Sequence, residues 1–311
     1  MSPRDDLSAG SLPDRKPLRR ALRECASGDT PPNVALLKLL MEALDAREAE
    51  DALREAHRTA RDGNERRRLA HALALLEDNS QAFGTVKTVL RGVEHSGPAA
   101  DAGAALGAWA AAFDRMALTS PEGSVALYAL GNPELFRAAT AEIVTRLGSW
   151  DLLGSDRTVL DLGCGIGRLT EALAPAVRHV TGVDISPMMI AHARERCAAL
   201  PNVTLEVSSG RDLAGFGPET FDLIVAADVF PYLVQIGSDL VAAHVNEAAR
   251  VLRPGGSLVV LNMSYRDDLE RDRSEIEALA GAAGLVFKRH GVRDFTLWDA
   301  TTFHLGKPLA L

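Results

Sequence analysis

The sequence predicts an α/β protein in which a mostly parallel sheet has helices on both faces and follows an all-α N-terminal region. After residue 157, short runs of Val, Ile and Leu alternate with segments of helical periodicity. Nearly continuous apolar strands separated by crossover helices are typical of a parallel sheet buried on both faces. From Asn33 to the middle of the chain, apolar residues instead recur every three or four positions, which predicts helices.

Four segments are expected along the chain. Residues 1–32 are rich in Pro, Ser, Asp and Arg and lack periodicity, so a flexible tail is predicted. Residues 33–118 should form an N-terminal helical domain, and residues 119–150 should provide connector and lid helices. Residues 151–311 should form the α/β domain, which ends in a helix and two closely spaced strands that predict an antiparallel hairpin.

Composition and charge narrow the class of protein. The net charge of −8 disfavours a nucleic-acid partner. The three cysteines, Cys25, Cys164 and Cys197, lack metal-ligand spacing and favour a reducing cytoplasm over a disulfide framework. No apolar stretch approaches the roughly 20 residues that a membrane-spanning helix needs, and the N-terminus has no signal-peptide core. We therefore expect a cytoplasmic protein without a metal site or a membrane partner.

A glycine-rich turn follows the first predicted strand, in the stretch VLDLGCGIG at residues 159–167. Ligands of open parallel sheets bind beyond the carboxyl ends of the strands, where Gly163, Gly165 and Gly167 lie. A phosphate-binding GxxxxGK[ST] loop is excluded because Arg168 and then Leu169 come after the last glycine. The dinucleotide motif GxGxxG also fits poorly, since Arg168 replaces its third glycine.

Acidic residues accompany the ends of three predicted strands. Asp161 precedes the glycine turn, Asp184 ends the second strand 17 positions after Gly167, and Asp212 follows the third strand. A carboxylate at 184 has the acceptor capacity to bind two vicinal ribose hydroxyls, and one at 212 suits an adenine amino group. Each has a structural alternative, namely a turn cap for Asp161, a helix N-cap for Asp184 and a surface Asx turn for Asp212.

Five motifs appear in a characteristic order within residues 157–263: VLDLGCGIG, VTGVDIS, GRDL, FDLIVAADVFPYL and LRPGGSLVVL. On these motifs the chain resembles the class I S-adenosylmethionine-dependent methyltransferases, in particular predicted bacterial methyltransferases with N-terminal helical extensions. The resemblance implies a Rossmann-like, seven-stranded sheet with an antiparallel last strand. It also implies S-adenosyl-L-methionine as cofactor, S-adenosyl-L-homocysteine as product, and an enzyme that methylates a small organic acceptor such as a specialised metabolite.

The same resemblance implies roles for individual residues in cofactor binding. The glycine turn and Asp161 would receive the amino-acid end, Asp184 the ribose, and Asp212 the adenine amino group. Cys164 is expected to fill space rather than to act as a nucleophile. The implied cofactor-binding residues are Asp161, Gly163, Cys164, Gly165, Gly167, Asp184, Ile185, Met188, Arg211, Asp212, Leu213, Ala227 and Asp228.

The motifs say less about the residues that bind the methyl acceptor. A general base is needed only when the acceptor carries a poorly acidic proton, and Asp228 and His304 are the catalytic candidates. His244 and His290 are weaker ones. The candidate acceptor-binding residues are Tyr128, Phe230, Tyr232 and Trp298.

Three other functions stay open at this level. The N-terminal helices suit the docking of a protein substrate, and a member of the fold can retain its cofactor in a non-methylating role. Methylation of nucleic acid is disfavoured because residues 226–229 read Ala-Ala-Asp-Val rather than Asn-Pro-Pro-aromatic. A homo-oligomer is compatible with the sequence, which does not identify the acceptor or the atom that is methylated.

Overall fold

A computed structural model describes residues 16–93 and 101–309 of the 311-residue chain. The chain divides into two compact units, residues 1–78 and 79–311. The predicted boundary at residue 118 therefore differs from the observed one, because the helices that follow residue 79 belong to the same unit as the sheet. Within the described residues, no helix is both long enough and apolar enough to cross a membrane.

The first unit is helical in the part that the structure describes. Its helices are α1 (Lys16–Ser27), α2 (Pro32–Glu42), α3 (Ala46–Thr59) and α4 (Gly63–Asp78). No Gly or Pro interrupts residues 34–61, so the apolar periodicity alone is compatible with a single helix in place of α2 and α3. The chain instead breaks between them, where the Asp45 side chain accepts the Glu48 backbone N–H at 2.8 Å and so caps α3.

The prediction of a flexible tail over residues 1–32 is wrong for its second half. Residues 16–27 form α1, in which Ala21 and Cys25 lie one turn apart and are both buried. This narrow face of small side chains is surrounded by arginines, which is why the composition resembles that of a solvated tail. The first half of the predicted tail, residues 1–15, lies outside the described residues.

The second unit contains the remaining helices and the sheet. Its helices are α5 (Ala82–Val93), α6 (Ala102–Thr119), α7 (Pro121–Val125), α8 (Pro133–Ser149), α9 (Arg168–Leu173), α10 (Pro187–Arg196), α11 (Phe230–Ile236), α12 (Ser238–Val251) and α13 (Leu269–Ala282), with short 3-10 turns at Leu127–Ala129 and Ala174–Ala176. Its strands are β1 (Thr158–Leu162), β2 (His179–Asp184), β3 (Val203–Val207), β4 (Phe221–Ala227), β5 (Leu252–Leu261), β6 (Val286–Arg293) and β7 (Thr301–Gly306).

The seven strands form one sheet in the order β3-β2-β1-β4-β5-β7-β6. The first five are parallel, and β7 runs antiparallel to both of its neighbours, β5 and β6. The predicted α/β class, with seven strands and helices on both faces, is confirmed. The final hairpin is also present, with β7 inserted between β5 and β6.

The register of the parallel strands brings the sequence motifs to one edge of the sheet. Leu162 at the end of β1 pairs with Val183 of β2 and with Ala226 of β4. Ala227 at the end of β4 pairs with Leu261 at the end of β5. We call this boundary the carboxyl edge. The residues that immediately follow each strand therefore converge there, as in other open parallel sheets.

Candidate active site

The glycine turn at the end of β1 takes a backbone path that side chains would block. Gly163, Gly165 and Gly167 have φ of 69°, 54° and 78°, in the left-handed region that favours glycine. A Cβ atom on Gly165 would lie 2.6 Å from the Val125 side chain, and one on Gly163 would collide with the Val229 side chain. The turn therefore lies at the carboxyl edge as backbone without side chains, with Gly163 half-buried and Gly165 and Gly167 buried.

Asp184 fastens this turn to the end of β2. Its Oδ2 accepts the Gly165 backbone N–H at 2.9 Å, and its Oδ1 accepts the Ser186 backbone N–H at 2.9 Å. Burial raises the pKa of Asp184 to about 6, against the lowering effect of these two donors. Since a carboxylate has about four acceptor positions, each oxygen retains capacity for another donor.

The N-cap of α10 is Ser186, not Asp184. The Ser186 hydroxyl oxygen accepts the Met189 backbone N–H at 3.0 Å. The alternative that explained Asp184 as the N-cap therefore does not account for its position.

Asp161 is buried beneath the turn and connects β1 with the first turn of α9. Its Oδ2 accepts a hydrogen bond from the Thr170 hydroxyl at 2.6 Å. Burial raises the pKa of Asp161 to about 6, and the Thr170 hydroxyl is the strongest of the groups that oppose this shift. Asp161 thus fixes the position of the helix that follows the glycine turn.

Replacing Thr170 with valine should lower the free energy of unfolding by about 1–3 kcal/mol near neutral pH. The isosteric side chain fills the same space but leaves a buried acceptor oxygen of Asp161 without its hydroxyl donor. Urea unfolding at pH 7 measures the difference. Thr145→Val is the matched control, since the Thr145 hydroxyl bonds a helix carbonyl on an exposed face, and it should change stability by no more than about 0.5 kcal/mol. Equal losses in the two variants would contradict the role assigned to Thr170.

Arg168 is a site residue that the sequence analysis used only to exclude a dinucleotide motif. Its side chain is buried, and Nη1 donates to the Tyr128 hydroxyl at 3.0 Å. The guanidinium carbon lies 5.8 Å and 5.6 Å from the ring centroids of Tyr128 and Phe136. Burial raises the pKa values of Asp161 and Asp228, and this positive charge opposes the rise in both. It places a cation beside the glycine turn, where an anionic ligand group would be stabilised.

The residues after β3 divide into a buried part and an exposed part. Leu213 is buried, whereas Arg211 and Asp212 are exposed. The Asp212 Oδ1 accepts the Ala214 backbone N–H at 3.1 Å, which is the local Asx turn considered as its alternative. Nearby, a Cβ on Gly210 would lie 2.6 Å from the Ile185 side chain, so this loop passes close to the end of β2.

The ends of β4 and β5 carry a pair of polar residues in an unusual backbone conformation. Asp228 and Asn262 have φ of 56° and 68°, and the Asn262 Nδ2 donates to the Asp228 Oδ1 at 2.8 Å. Non-glycine residues in this region are uncommon and are concentrated at functional sites. Asn262 is itself held by Thr301, whose backbone N–H donates to the Asn262 Oδ1 at 3.1 Å. The pair fixes a carboxylate at the carboxyl edge.

Asp228 is poised to exchange a proton near neutral pH. Burial raises its pKa to about 6. The Asn262 amide and the Tyr265 hydroxyl, which both hydrogen-bond with the carboxylate, limit the rise. A carboxylate of this kind is a stronger base than an ordinary surface aspartate while still being ionised at pH 7.

Comparison with known proteins identifies the domain. A family profile described as "Methyltransferase domain" matches residues 159–256, from β1 into β5. The demethylmenaquinone methyltransferase of Tropheryma whipplei is 40% identical over 107 residues, which cover 34% of this chain and 42% of the relative. Residues 159–256 are a methyltransferase domain.

Two further similarities extend this comparison. The 2-methyl-6-phytyl-1,4-hydroquinone methyltransferase of Synechocystis sp. is 35% identical over 123 residues, covering 39% of this chain and 36% of the relative. The solved structure of phosphoethanolamine N-methyltransferase 1 from Haemonchus contortus has a similar fold, with a TM-score of 0.52, 18% identity, and coverage of 68% of this chain and 50% of the other. The similarity to the two relatives in sequence thus spans less than half of their length.

An aromatic cluster adjoins Asp228 in this methyltransferase domain. The Tyr232 ring centroid lies 4.7 Å from that of Trp109, 5.1 Å from that of Phe113 and 6.1 Å from that of Tyr265, each in an edge-to-face arrangement. Only Tyr232 of these four was predicted. Trp109 and Phe113 come from α6, far from the motifs, and nothing in their local sequence indicates a site.

The other predicted acceptor residues have different surroundings. Tyr128 and Trp298 are buried and stack on each other at 5.3 Å between ring centroids. Tyr128 reaches the site through its bond to Arg168. Phe230 is 1% exposed and packs in the core beside the sheet, so it supports the site rather than lining it.

The structure does not bring His304 to the methyltransferase site. It lies within β7 opposite Val259, where its Nε2 pairs with the Ser257 hydroxyl at 2.9 Å and its ring stacks on Trp150. Burial lowers the pKa of His304 to about 4. The reason is topological: β7 is inserted between two strands, so its central side chains are covered.

Nor do the two weaker histidine candidates reach the carboxyl edge. His244 is buried in α12 and donates from Nδ1 to the Leu240 carbonyl, and His290 lies in β6 against the Arg273 carbonyl. Of the predicted bases, Asp228 alone is at the carboxyl edge.

Proposed function

We propose that this protein is an S-adenosylmethionine-dependent methyltransferase that acts on a small organic acceptor. The observation that carries the proposal is the convergence at one sheet edge of a glycine turn without side chains, the carboxylate of Asp184 and the carboxylate of Asp228. The first two suit the cofactor and the third suits the acceptor.

The residues present fit S-adenosylmethionine in charge and in hydrogen-bonding capacity. Asp184 retains acceptor capacity for the two ribose hydroxyls, although both of its oxygens already accept backbone donors. The glycine turn accommodates the amino-acid end, and the Arg168 guanidinium with the Tyr128 hydroxyl provides donors for its carboxylate. No phosphate-reading loop is needed, in keeping with Arg168 at the position of the third dinucleotide glycine.

When bound, the cofactor supplies an electrophilic methyl group on a sulfonium sulfur. The protein then has to hold an acceptor in line with that methyl group and exclude water. The Trp109, Phe113 and Tyr232 rings provide an apolar wall for a flat or hydrophobic acceptor. Asp228 would take up the proton that the acceptor N–H or O–H loses on methylation.

The class of acceptor follows from these groups. An aromatic hydroxyl combines a flat apolar ring with a proton that a carboxylate can remove, and proteins of similar sequence include a hydroquinone methyltransferase and O-methyltransferases of ubiquinone biosynthesis. The net charge of −8 argues against nucleic acid as the acceptor.

The three cysteines are buried and unpaired, which supports the predicted reducing cytoplasm.

The proposal is tested in two steps with the full-length protein. Calorimetry with S-adenosylmethionine and S-adenosylhomocysteine should give saturable binding with dissociation constants in the micromolar range. Incubation with methyl-labelled S-adenosylmethionine and a panel of aromatic hydroxyl and amine compounds should then yield a labelled product by mass spectrometry. Absence of binding in the first step would refute the cofactor assignment. Binding without transfer to any small compound, combined with transfer to a protein, would refute the acceptor class.

A further inference from the structure

Helix α6 lies against the carboxyl edge, although it precedes the residues that the family profile matches. Leu106 is buried with Val183 and Leu213, which flank the predicted cofactor residues of β2 and of the loop after β3. Its Cδ2 would be 3.0 Å from a Cβ on Gly210. One turn further along α6, Trp109 and then Phe113 pack on Tyr232 of α11. One face of α6 therefore covers the edge from β2 to β4.

At its C-terminal half, α6 makes a polar contact of a different kind. The Asp114 Oδ1 accepts the Ser186 hydroxyl at 2.5 Å and the Met188 backbone N–H at 3.0 Å. These groups begin α10, immediately after the predicted ribose ligand Asp184. Burial is the main cause of the raised pKa of Asp184, and the charge of Asp114 adds to it.

The contact completes the N-terminus of α10 from outside the helix. Ser186 caps the Met189 N–H by itself, and Pro187 has no N–H to satisfy. The Met188 N–H is satisfied by a side chain 74 residues earlier in the chain. Because the rest of the face that α6 presents here is apolar and non-directional, Asp114 is the group that fixes the register of α6 against the cofactor-binding edge.

We propose that α6 is the wall that closes the cofactor site over the ribose, and that Asp114 is the positioning residue that latches it to α10. This inference rests on the proposed function. It moves the main covering element from residues 119–150, where the sequence analysis expected the lid, to a helix that it assigned to the N-terminal domain. The predicted segment still contributes, since Val125 contacts the glycine turn and Tyr128 contacts Arg168.

The latch has a kinetic consequence. Bound nucleoside leaves only when α6 moves away from the edge, and that motion must break both hydrogen bonds of Asp114. Hydrogen bonds to a charged acceptor are stronger than neutral ones. Removing them should therefore increase the dissociation rate of the nucleoside, with a smaller effect on the free energy of unfolding of the domain.

Asp114→Ala in the full-length protein should raise the dissociation rate of radiolabelled S-adenosylhomocysteine, chased with excess unlabelled compound, about tenfold. Asp101→Ala is the matched control. Asp101 caps the N-terminus of the same helix by accepting the Ala104 N–H at 2.8 Å, so its loss loosens α6 without touching α10. Its dissociation rate should stay within about twofold of wild type. Asp114→Asn retains an acceptor oxygen but not the charge, so its dissociation rate should lie between those of Asp114→Ala and Asp101→Ala. This milder variant also serves as a control in case Asp114→Ala misfolds.

Hydrogen exchange gives a second readout, which locates the part of the protein that the variant loosens. With S-adenosylhomocysteine bound, the α6 amides of Asp114→Ala should exchange faster than those of wild type, while amides of the β-strands are unchanged. Wild-type dissociation rates in Asp114→Ala and Asp114→Asn, or equal acceleration in Asp101→Ala, would overturn the latch. Failure of the wild-type protein to bind the nucleoside at all would instead refute the proposed function.

Discussion

Replacing Asp184 with alanine should weaken the binding of S-adenosylhomocysteine at least tenfold. The variant removes the carboxylate that would accept the ribose hydroxyls, and hydrogen bonds to a charged group contribute about 1.5–3 kcal/mol each. It also removes the acceptor of the Gly165 N–H and so releases the glycine turn from β2. Calorimetry at pH 7.5, where the wild-type carboxylate is ionised, measures the loss.

The pH dependence of affinity provides an independent signature of Asp184. Its pKa is raised to about 6, so the carboxylate is protonated below that pH and accepts hydroxyl hydrogens less well. Wild-type affinity should therefore increase as the pH rises through about 6, and this increase should be smaller in Asp184→Ala. Asp156→Ala removes an exposed aspartate before β1 and should leave both the affinity and its pH profile unchanged. An unaltered dissociation constant in Asp184→Ala would mean that the carboxylate serves only the turn.

The sequence predicts those site residues that lie at the ends of the strands. In a parallel sheet whose strands are buried on both faces, the apolar runs fix where each strand stops. Gly163, Asp184 and Asp228 each follow such a run, and their meeting at one edge could be predicted from the pattern alone. The spacing of the glycines and the identity of Arg168 were then enough to select among ligand classes.

No comparable pattern in the sequence predicts contacts between segments that are distant along the chain. Asp114 meets Ser186 across 72 residues, and Asn262 meets Asp228 across 34. Each partner looks locally like an ordinary polar residue in or after a regular element. Their roles depend on which helix lies over which strand, which the periodicity of apolar residues does not specify.

The error over His304 has a related cause. The sequence indicates two final strands but not that β7 enters the sheet between β5 and β6. Had β7 been the edge strand, its polar side chains would have remained accessible. Insertion instead buries His304 against Ser257 and lowers its pKa to about 4, so its imidazole is a weak base and lies away from Asp228.

Asp228→Asn should reduce kcat by about 10²–10⁴ for an acceptor that must lose a poorly acidic proton, with little change in nucleoside affinity. The amide keeps nearly the same size and the hydrogen-bonding capacity to pair with Asn262, but it cannot take up a proton. Wild-type kcat at saturating cofactor should rise with pH through about 6, because the base functions only when ionised. The variant should lack this rise.

Asp267→Asn is the matched control for the backbone conformation of Asp228. Asp267 also has a left-handed φ, of 55°, but it is exposed on the loop after β5. Its kcat and pH profile should equal those of wild type.

Asp299→Asn adds a graded test. Burial is the main cause of the raised pKa of Asp228, and the charge of Asp299 adds to it, so removing that charge should move the rise in kcat to lower pH. A full wild-type rate in Asp228→Asn would show that the acceptor reaches the site already deprotonated, and that the carboxylate held by Asn262 orients the acceptor rather than activating it.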